Sequence, residues 1–267
     1  MAEGVGKAVE PGLIDFRDRD DLAARRPLVI AHRGGVVSPA SAECSQTAIR
    51  LAAEQGYDMV ELDVQRSRDG IPMVFHDRSL LKSCGRDGRV EAFTALELEG
   101  ISYLVGSDRI IRLETALGLC RALGLGVMLD LKVGRDSLAF LTQIEQMVLK
   151  TRLENATISF SGSDLARQTL KSVRFTPTGD EMRRLREGES LDLGKRFWFG
   201  LPKQLQPGDV ERLKKAGSLI LPAINTFRYP SRRHDELARE DIKRLTAAGV
   251  DGFQIDSIYL PHVPGTR

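Results

Sequence analysis

The sequence of 267 residues has few cysteines and no long apolar run. Cys44, Cys84 and Cys120 form an odd count without the spacing of a metal site, which is typical of a reducing compartment. No stretch approaches about 18 uninterrupted apolar residues, so we expect no stable insertion into a membrane. Residues 1–26 lack the apolar centre of a secretory signal and alternate acids with bases, so we expect a flexible, solvated arm and a cytoplasmic protein.

A marked excess of either charge is also absent. The formal net charge is +2 and the basic residues are scattered along the chain, so charge indicates neither a nucleic-acid partner nor a membrane surface. With 42% hydrophobic and 28% charged residues, we expect residues 27–267 to form a single globular domain. Its size fits one α/β barrel of about 250 residues. The oligomeric state is left open.

The strand-like segment Val60–Val64 carries two carboxylates on one face. Side chains alternate between the faces of a strand, so Glu61 and Asp63 point the same way while their apolar neighbours point the other way. Two carboxylates this close repel each other unless a cation lies between them, and Mg²⁺ and Ca²⁺ prefer such oxygen ligands. An isolated pair of this kind is nevertheless more often a solvated strand face.

A second strand-like segment, Gly126–Val133, repeats the pattern with one acid and one cation. Asp130 and Lys132 share a face, and apolar residues occupy the other face. Charged side chains seldom occupy a buried strand unpaired, so two strands of this kind favour one shared polar site.

Strand-like and helical segments alternate along the rest of the chain. The connection after the second strand, about residues 66–111, is unusually long, and we expect it to form an ordered lid that bears His76. This alternation predicts an α/β protein, a parallel (β/α)8 TIM barrel with its site at the carboxyl ends of the strands. The first predicted strand begins at Leu28. The remaining predicted strands cover Thr157–Phe160, Val173–Thr176, Arg196–Gly200, Leu219–Asn225 and Gly252–Asp256.

Several ordered motifs of this chain resemble those of the glycerophosphodiester phosphodiesterases. They are His32-Arg33-Gly34, Glu61-Leu62-Asp63, Phe75-His76-Asp77 and Asp130-Leu131-Lys132, with weaker likenesses in Ile158-Ser159-Phe160, Ile224-Asn225 and the ending Gly249–Asp256. The resemblance runs from about Leu28 to Asp256. It implies a phosphoric diester hydrolase that acts on a small-molecule phosphodiester with the help of a divalent metal ion.

The chemistry of a phosphodiester assigns roles to these residues. The substrate is an anion with poor leaving groups, so hydrolysis needs cations near its oxygens and a general acid at the departing oxygen. We predict that the three acids Glu61, Asp63 and Asp130 hold the metal. His32 and His76 share the acid and base roles in either order, by attack of water or of a neighbouring substrate hydroxyl. The predicted substrate-binding residues are Arg33, Lys132 and Glu43, of which Glu43 orients Arg33 or another cation.

The chain departs from the family pattern at three places. Ala42-Glu43-Cys44-Ser45 stands where the family has Pro-Glu-Asn-Thr, Asp130 replaces a glutamate, and the tryptophan of the seventh strand is missing near Pro222. We interpret Cys44 as a small residue at a helix start rather than a nucleophile.

These departures leave three functions open. The first is hydrolysis of a glycerophosphodiester to an alcohol and sn-glycerol 3-phosphate, within lipid and glycerol metabolism. The second is cleavage or formation of another phosphodiester, such as a sugar phosphodiester or a lysophospholipid, and the third is non-catalytic binding of a phosphate ligand. The presence of both histidines beside the three acids favours an enzyme, because a binding protein needs no proton-transfer pair.

Overall fold

The computed structural model describes residues 12–132 and 137–265. Eight parallel strands form a barrel. They are β1 (Leu28–Ala31), β2 (Met59–Arg66), β5 (Gly126–Leu131), β6 (Thr157–Ser159), β7 (Arg174–Phe175), β8 (Phe197–Gly200), β9 (Leu219–Ile224) and β10 (Gly252–Ile255). The barrel is nearly closed, in the order β7-β6-β5-β2-β1-β10-β9-β8, and a parallel bridge between Phe175 and Arg196 joins its two edges. The predicted TIM barrel is therefore confirmed. Val133, the predicted end of the third strand, lies outside the described residues.

Helices return the chain along the outside of the barrel. Serine residues cap the start of three of them, because the hydroxyls of Ser45, Ser137 and Ser163 accept hydrogen bonds from backbone N–H groups of the first turn. Within the described ranges, no helix is both long and apolar enough to cross a bilayer. The helices are α1 (Arg19–Ala24), α2 (Gln46–Glu54), α3 (Leu81–Cys84), α4 (Ala95–Glu99), α5 (Leu113–Ala122), α6 (Leu138–Lys150), α7 (Asp164–Thr169), α8 (Gly179–Arg186), α9 (Asp209–Lys215) and α10 (His234–Ala248).

The segment before β1 packs against the barrel. Ile14 and Phe16 are buried, and the backbone N–H of Phe16 donates to the carbonyl of Asn155 at 2.9 Å. A side chain at Gly126, the first residue of β5, would meet Ile14, so this segment covers the amino end of the barrel. The expectation of a solvated arm is therefore wrong for residues 12–26. Burial of their apolar side chains stabilises the packed arrangement by more free energy than it costs to hold their charged neighbours close to the barrel. Residues 1–11 lie outside the described part of the chain.

The insert after β2 contains secondary structure that the sequence did not reveal. Its strands β3 (Pro72–Val74) and β4 (Ile111–Arg112) pair antiparallel and extend the sheet from β2. Each strand or α-helix of the insert has five residues or fewer, too short for a periodic pattern. The insert has a core of its own, formed by Ala42 with Met73, Phe75, Leu80, Val90, Ala95, Leu98, Ile101, Tyr103 and Ile110.

Candidate active site

Three carboxylates converge near the carboxyl ends of β2 and β5. The register of these parallel strands places Asp63 directly beside Asp130. Glu61 lies two residues earlier on the same face, and carboxylate oxygens of all three residues lie within 4.8 Å of one another. Glu61 and Asp63 are each only 1% exposed, so the alternative of a solvated strand face is wrong.

Burial makes this cluster electrostatically costly. It raises the pKa of Glu61 well above its usual value, and the charges of Asp63 and Asp130 raise it further. Burial also raises the pKa of Asp130, against the opposing charge of Lys132. A raised pKa means that the ionised form of the carboxyl is disfavoured, so the protein without a cation resists negative charge at this cluster.

Lys132 compensates part of this charge. Its Nζ lies 2.8 Å from Asp63 Oδ1 and 3.5 Å from Asp130 Oδ2. Burial alone would lower the pKa of Lys132, but the charge and hydrogen bond of Asp63 raise it above its ordinary value, so the side chain stays protonated. When all three carboxyls are ionised, one ammonium among them leaves two negative charges uncompensated. The donor set therefore fits a hard divalent cation in both charge and ligand type.

His32 forms the second part of the site. Its Nδ1 lies 2.5 Å from Asp256 Oδ1, and the other oxygen of Asp256 accepts hydrogen bonds from the backbone and hydroxyl of Thr226 at 2.6 and 2.8 Å. Burial works to raise the pKa of Asp256, but the bonds from His32 and Thr226 hold it below its usual range. Asp256 was not among the predicted site residues, although its place after the last barrel strand was a usable signal.

Arg33 connects the acids to the insert. Its backbone adopts a left-handed φ of 56°, and its N–H donates to Glu61 Oε2 at 2.8 Å. Its guanidinium donates to Glu43 at 2.8 Å, and the other carboxylate oxygen of Glu43 lies 3.8 Å from His76 Nδ1. The same nitrogen of His76 lies 2.8 Å from Asp77 Oδ1. The insert thus delivers a second histidine that is paired with a carboxylate, opposite the pair formed by His32.

A cavity of about 420 Å³ opens beside these groups. Among the described residues that line it are His32, His76, the three acids and Lys132, whereas Arg33 and Glu43 are not part of this lining. Their contacts support the predicted orienting role of Glu43, and contact of Arg33 with substrate stays a prediction.

Part of the cavity lining was not predicted from the sequence. Phe160 and Phe199 pack ring against ring with centroids 4.4 Å apart, and the Asn225 amide donates to Gln254 at 3.2 Å. These side chains lie at or near the carboxyl ends of four different strands, and the weak motifs that contain Phe160, Asn225 and Gln254 did not by themselves indicate a shared wall. Only closure of the barrel brings them together.

Cys44 lies directly behind the acids. Its thiol is completely buried and donates to Asp63 Oδ2 at a sulfur–oxygen distance of 3.4 Å. Burial raises the pKa of this thiol well above its usual value, and the charge of Asp63 raises it further. A neutral, enclosed thiol is a poor nucleophile, which supports the structural interpretation of Cys44.

Comparison with known proteins agrees with this geometry. The model of the glycerophosphoryl diester phosphodiesterase family matches residues 32–260, which include every predicted catalytic and metal-binding residue. The chain belongs to this family. The predicted family is thereby confirmed.

The chain matches different fractions of the curated relatives. A glycerophosphodiester phosphodiesterase of Caldanaerobacter subterraneus subsp. tengcongensis is 39% identical over 250 residues, which cover 86% of this chain and 94% of that protein. A probable glycerophosphodiester phosphodiesterase 1 of Mycobacterium tuberculosis is 38% identical over 84 residues, 32% of this chain. The chain matches only 30% of the length of that mycobacterial protein and 37% of a relative from Rattus norvegicus.

Solved structures share the fold. A glycerophosphoryl diester phosphodiesterase of Parabacteroides distasonis superposes with a TM-score of 0.69 at 17% identity, over 92% of this chain and 89% of that chain. A phosphodiesterase of Oleispira antarctica, solved with its product sn-glycerol-3-phosphate, gives a TM-score of 0.63 at 21% identity, over 88% and 95% of the two chains. At these identities the likeness shows the barrel alone.

Proposed function

We propose that this protein hydrolyses glycerophosphodiesters to an alcohol and sn-glycerol 3-phosphate, in a reaction that depends on a divalent metal ion. The observation that carries the proposal is one cavity that joins three converging carboxylates to two carboxylate-paired histidines. The names of the Caldanaerobacter relative and the product bound to the Oleispira enzyme support the substrate class. The expected place in lipid and glycerol metabolism and in the cytoplasm belongs to the same proposal.

Glu61, Asp63 and Asp130 are the residues that would hold the ion, either Mg²⁺ or Ca²⁺. When bound by these residues, the ion would supply Lewis-acid chemistry, since its positive charge would offset the charge of the phosphate oxygens. Lys132 lies at the edge of the cluster and lines the cavity, so it adds a positive charge near the same oxygens. The backbone N–H of Arg33 keeps the Glu61 carboxylate in place.

The two histidines are arranged to move protons. Each has Nδ1 close to a carboxylate, Asp256 for His32 and Asp77 for His76, which leaves Nε2 as the nitrogen that can exchange a proton with the diester. A carboxylate at Nδ1 fixes the ring orientation and stabilises the protonated imidazole. We assign protonation of the leaving oxygen to His76 and proton removal from the attacking hydroxyl or water to His32.

A hydrolysis assay tests this function. We expect release of sn-glycerol 3-phosphate from glycerophosphocholine, glycerophosphoethanolamine or glycerophosphoglycerol with added Mg²⁺ or Ca²⁺, and loss of that release with a chelator. Sugar phosphodiesters serve as the comparison set. Absence of hydrolysis on every glycerol diester with either ion would contradict the proposal.

Asp256 provides a sharper test of the histidine arrangement. Asp256→Asn keeps the size of the side chain but removes the charge that orients His32, so kcat should fall about 10- to 100-fold with a smaller change in KM. Because Asn can still accept from Thr226, the melting temperature should change little. Comparison of kcat, KM and melting temperature checks this, and an unchanged kcat would remove Asp256 from the mechanism.

A further inference from the structure

The loop between β1 and α2, residues 32–45, contains two residues in an unusual backbone conformation. Arg33 and Cys44 have positive φ angles of 56° and 58°, in the left-handed region that residues other than glycine seldom adopt. Such strain persists only where surrounding contacts enforce it, and it is often found at functional sites. The contacts of this loop show what enforces the strain here.

Three hydrogen bonds of this loop end on the two acids of β2. The N–H of Arg33 donates to Glu61 Oε2 at 2.8 Å, and the N–H of Gly34 donates to the backbone carbonyl of Glu61 at 2.6 Å. The thiol of Cys44 donates to Asp63 Oδ2 at 3.4 Å. The loop therefore holds one acid through its backbone and the other through a side chain.

The two strained residues are also joined to each other. The N–H of Cys44 donates to the carbonyl of Arg33 at 2.8 Å. A Cβ atom at Gly34 would lie only 2.6 Å from the Cα of Cys44, so the two backbone segments are in close contact. Ser45 follows at once and caps α2. Cys44 is thus fixed between the helix start and the Arg33 turn, and its side chain is completely buried.

The Asp63 carboxylate is held at both of its oxygens. Nζ of Lys132 lies 2.8 Å from Oδ1, and the Cys44 thiol donates to Oδ2. The last torsion of an aspartate side chain is soft, so a carboxylate held at one oxygen rotates readily and moves the other oxygen. Because Cys44 is completely buried, water does not compete for its bond.

We propose that Cys44 is a positioning residue, whose thiol fixes the rotation of the Asp63 carboxylate and so prepares it to bind a divalent cation together with Glu61 and Asp130. A residue that holds a metal ligand in its binding orientation adds to metal affinity without touching the ion. The left-handed backbone of Cys44 is the feature that brings the sulfur to Asp63 from the loop. This inference rests on the proposed function, because it concerns the same three acids.

Calorimetric titration with Mg²⁺ tests this role apart from activity. Cys44→Ala removes the donor and should weaken Mg²⁺ binding about 10-fold. The matched control is Cys120→Ala, because Cys120 is an equally buried thiol that lies on α5 rather than beside Asp63. Both variants should melt at a lower temperature, since each loses buried volume, but the control should bind Mg²⁺ as the wild type does.

Cys44→Ser separates the hydrogen bond from the packing. Serine loses the volume of the sulfur but keeps a donor close to its place, so this variant should bind Mg²⁺ more tightly than Cys44→Ala. Equal weakening in the two variants would show that packing alone is responsible and would overturn the positioning role. Wild-type affinity in Cys44→Ala would overturn it as well.

Infrared spectroscopy of the thiol reports on the same bond directly. The S–H stretching band of Cys44, identified by its absence from Cys44→Ala, should move to higher frequency when Mg²⁺ is added. The reason is that a cation on Asp63 draws charge from the oxygen that accepts the bond. The band of Cys120 should not move. A Cys44 band that does not respond in a protein that binds the ion would contradict the proposal.

The dependence of hydrolysis on Mg²⁺ separates this proposal from the one on which it rests. In Cys44→Ala, the Mg²⁺ concentration for half-maximal hydrolysis of glycerophosphocholine should rise about 10-fold, while kcat at saturating Mg²⁺ approaches that of the wild type. An unchanged Mg²⁺ requirement in an active Cys44→Ala protein would count against the positioning role alone. Absence of both ion binding and hydrolysis in the wild type would instead count against the proposed function.

Discussion

His76→Ala is expected to lower turnover by roughly 10²–10⁴ on a diester with an alkoxide leaving group. An alkoxide departs poorly unless it is protonated, and the structure places His76 in the cavity with Nδ1 held by Asp77. A nitrophenolate leaves without that proton, so the variant should lose little on a nitrophenyl diester. Steady-state kcat on glycerophosphocholine and on the nitrophenyl diester checks this difference.

His262→Ala is the matched control for this variant. His262 pairs with exposed Asp235 at 2.7 Å and does not line the cavity, so both substrates should react at wild-type rates. Equal losses of His76→Ala on the two substrates would take the general-acid role away from His76 and would favour the reverse assignment of the two histidines.

The fold and the acid cluster could be predicted because both depend on short repeats in the sequence. Alternation with period two places Glu61 and Asp63 on one face, and parallel pairing then brings Asp130 beside Asp63. With eight and six residues, β2 and β5 are long enough for this alternation to be recognised. The same reasoning failed for the insert, because each of its strands and α-helices has five residues or fewer and is too short to show a repeating pattern.

The pairing of His32 with Asp256 could not be predicted in this way. These residues are 224 positions apart, and only the parallel pairing of β1 with β10 brings them together. The apolar residues at 14 and 16 were likewise hidden among charges, so the sequence indicated a solvated arm where the chain packs under the barrel. In both cases the contact joins residues that are far apart in the sequence, and no local pattern of residues predicts it.

Asp63→Asn is expected to abolish hydrolysis while leaving the metal-free protein at least as stable as the wild type. The change removes one of the converging charges at nearly constant shape, so it weakens the metal site and reduces repulsion among the carboxylates. Thermal melts should therefore show an equal or higher melting temperature than the wild type in chelator. Added Mg²⁺ or Ca²⁺ should raise the melting temperature of the variant less, because ligand stabilisation scales with affinity.

Glu211→Gln, an exposed acid on α9, is the control for loss of one negative charge. It should keep wild-type activity and the full response of the melting temperature to metal. An Asp63→Asn protein with wild-type activity would show that the carboxylate is not needed for hydrolysis.

Calorimetric titration of the metal-free protein with Mg²⁺ and with Ca²⁺ tests the central claim most directly. The claim is that Glu61, Asp63 and Asp130 together hold one divalent cation on which hydrolysis depends. The account predicts saturable binding of a single ion by the wild type and by Glu211→Gln, and binding that is at least about 10-fold weaker in Asp63→Asn. Equal affinity in Asp63→Asn, or active wild-type protein that binds neither ion, would contradict it.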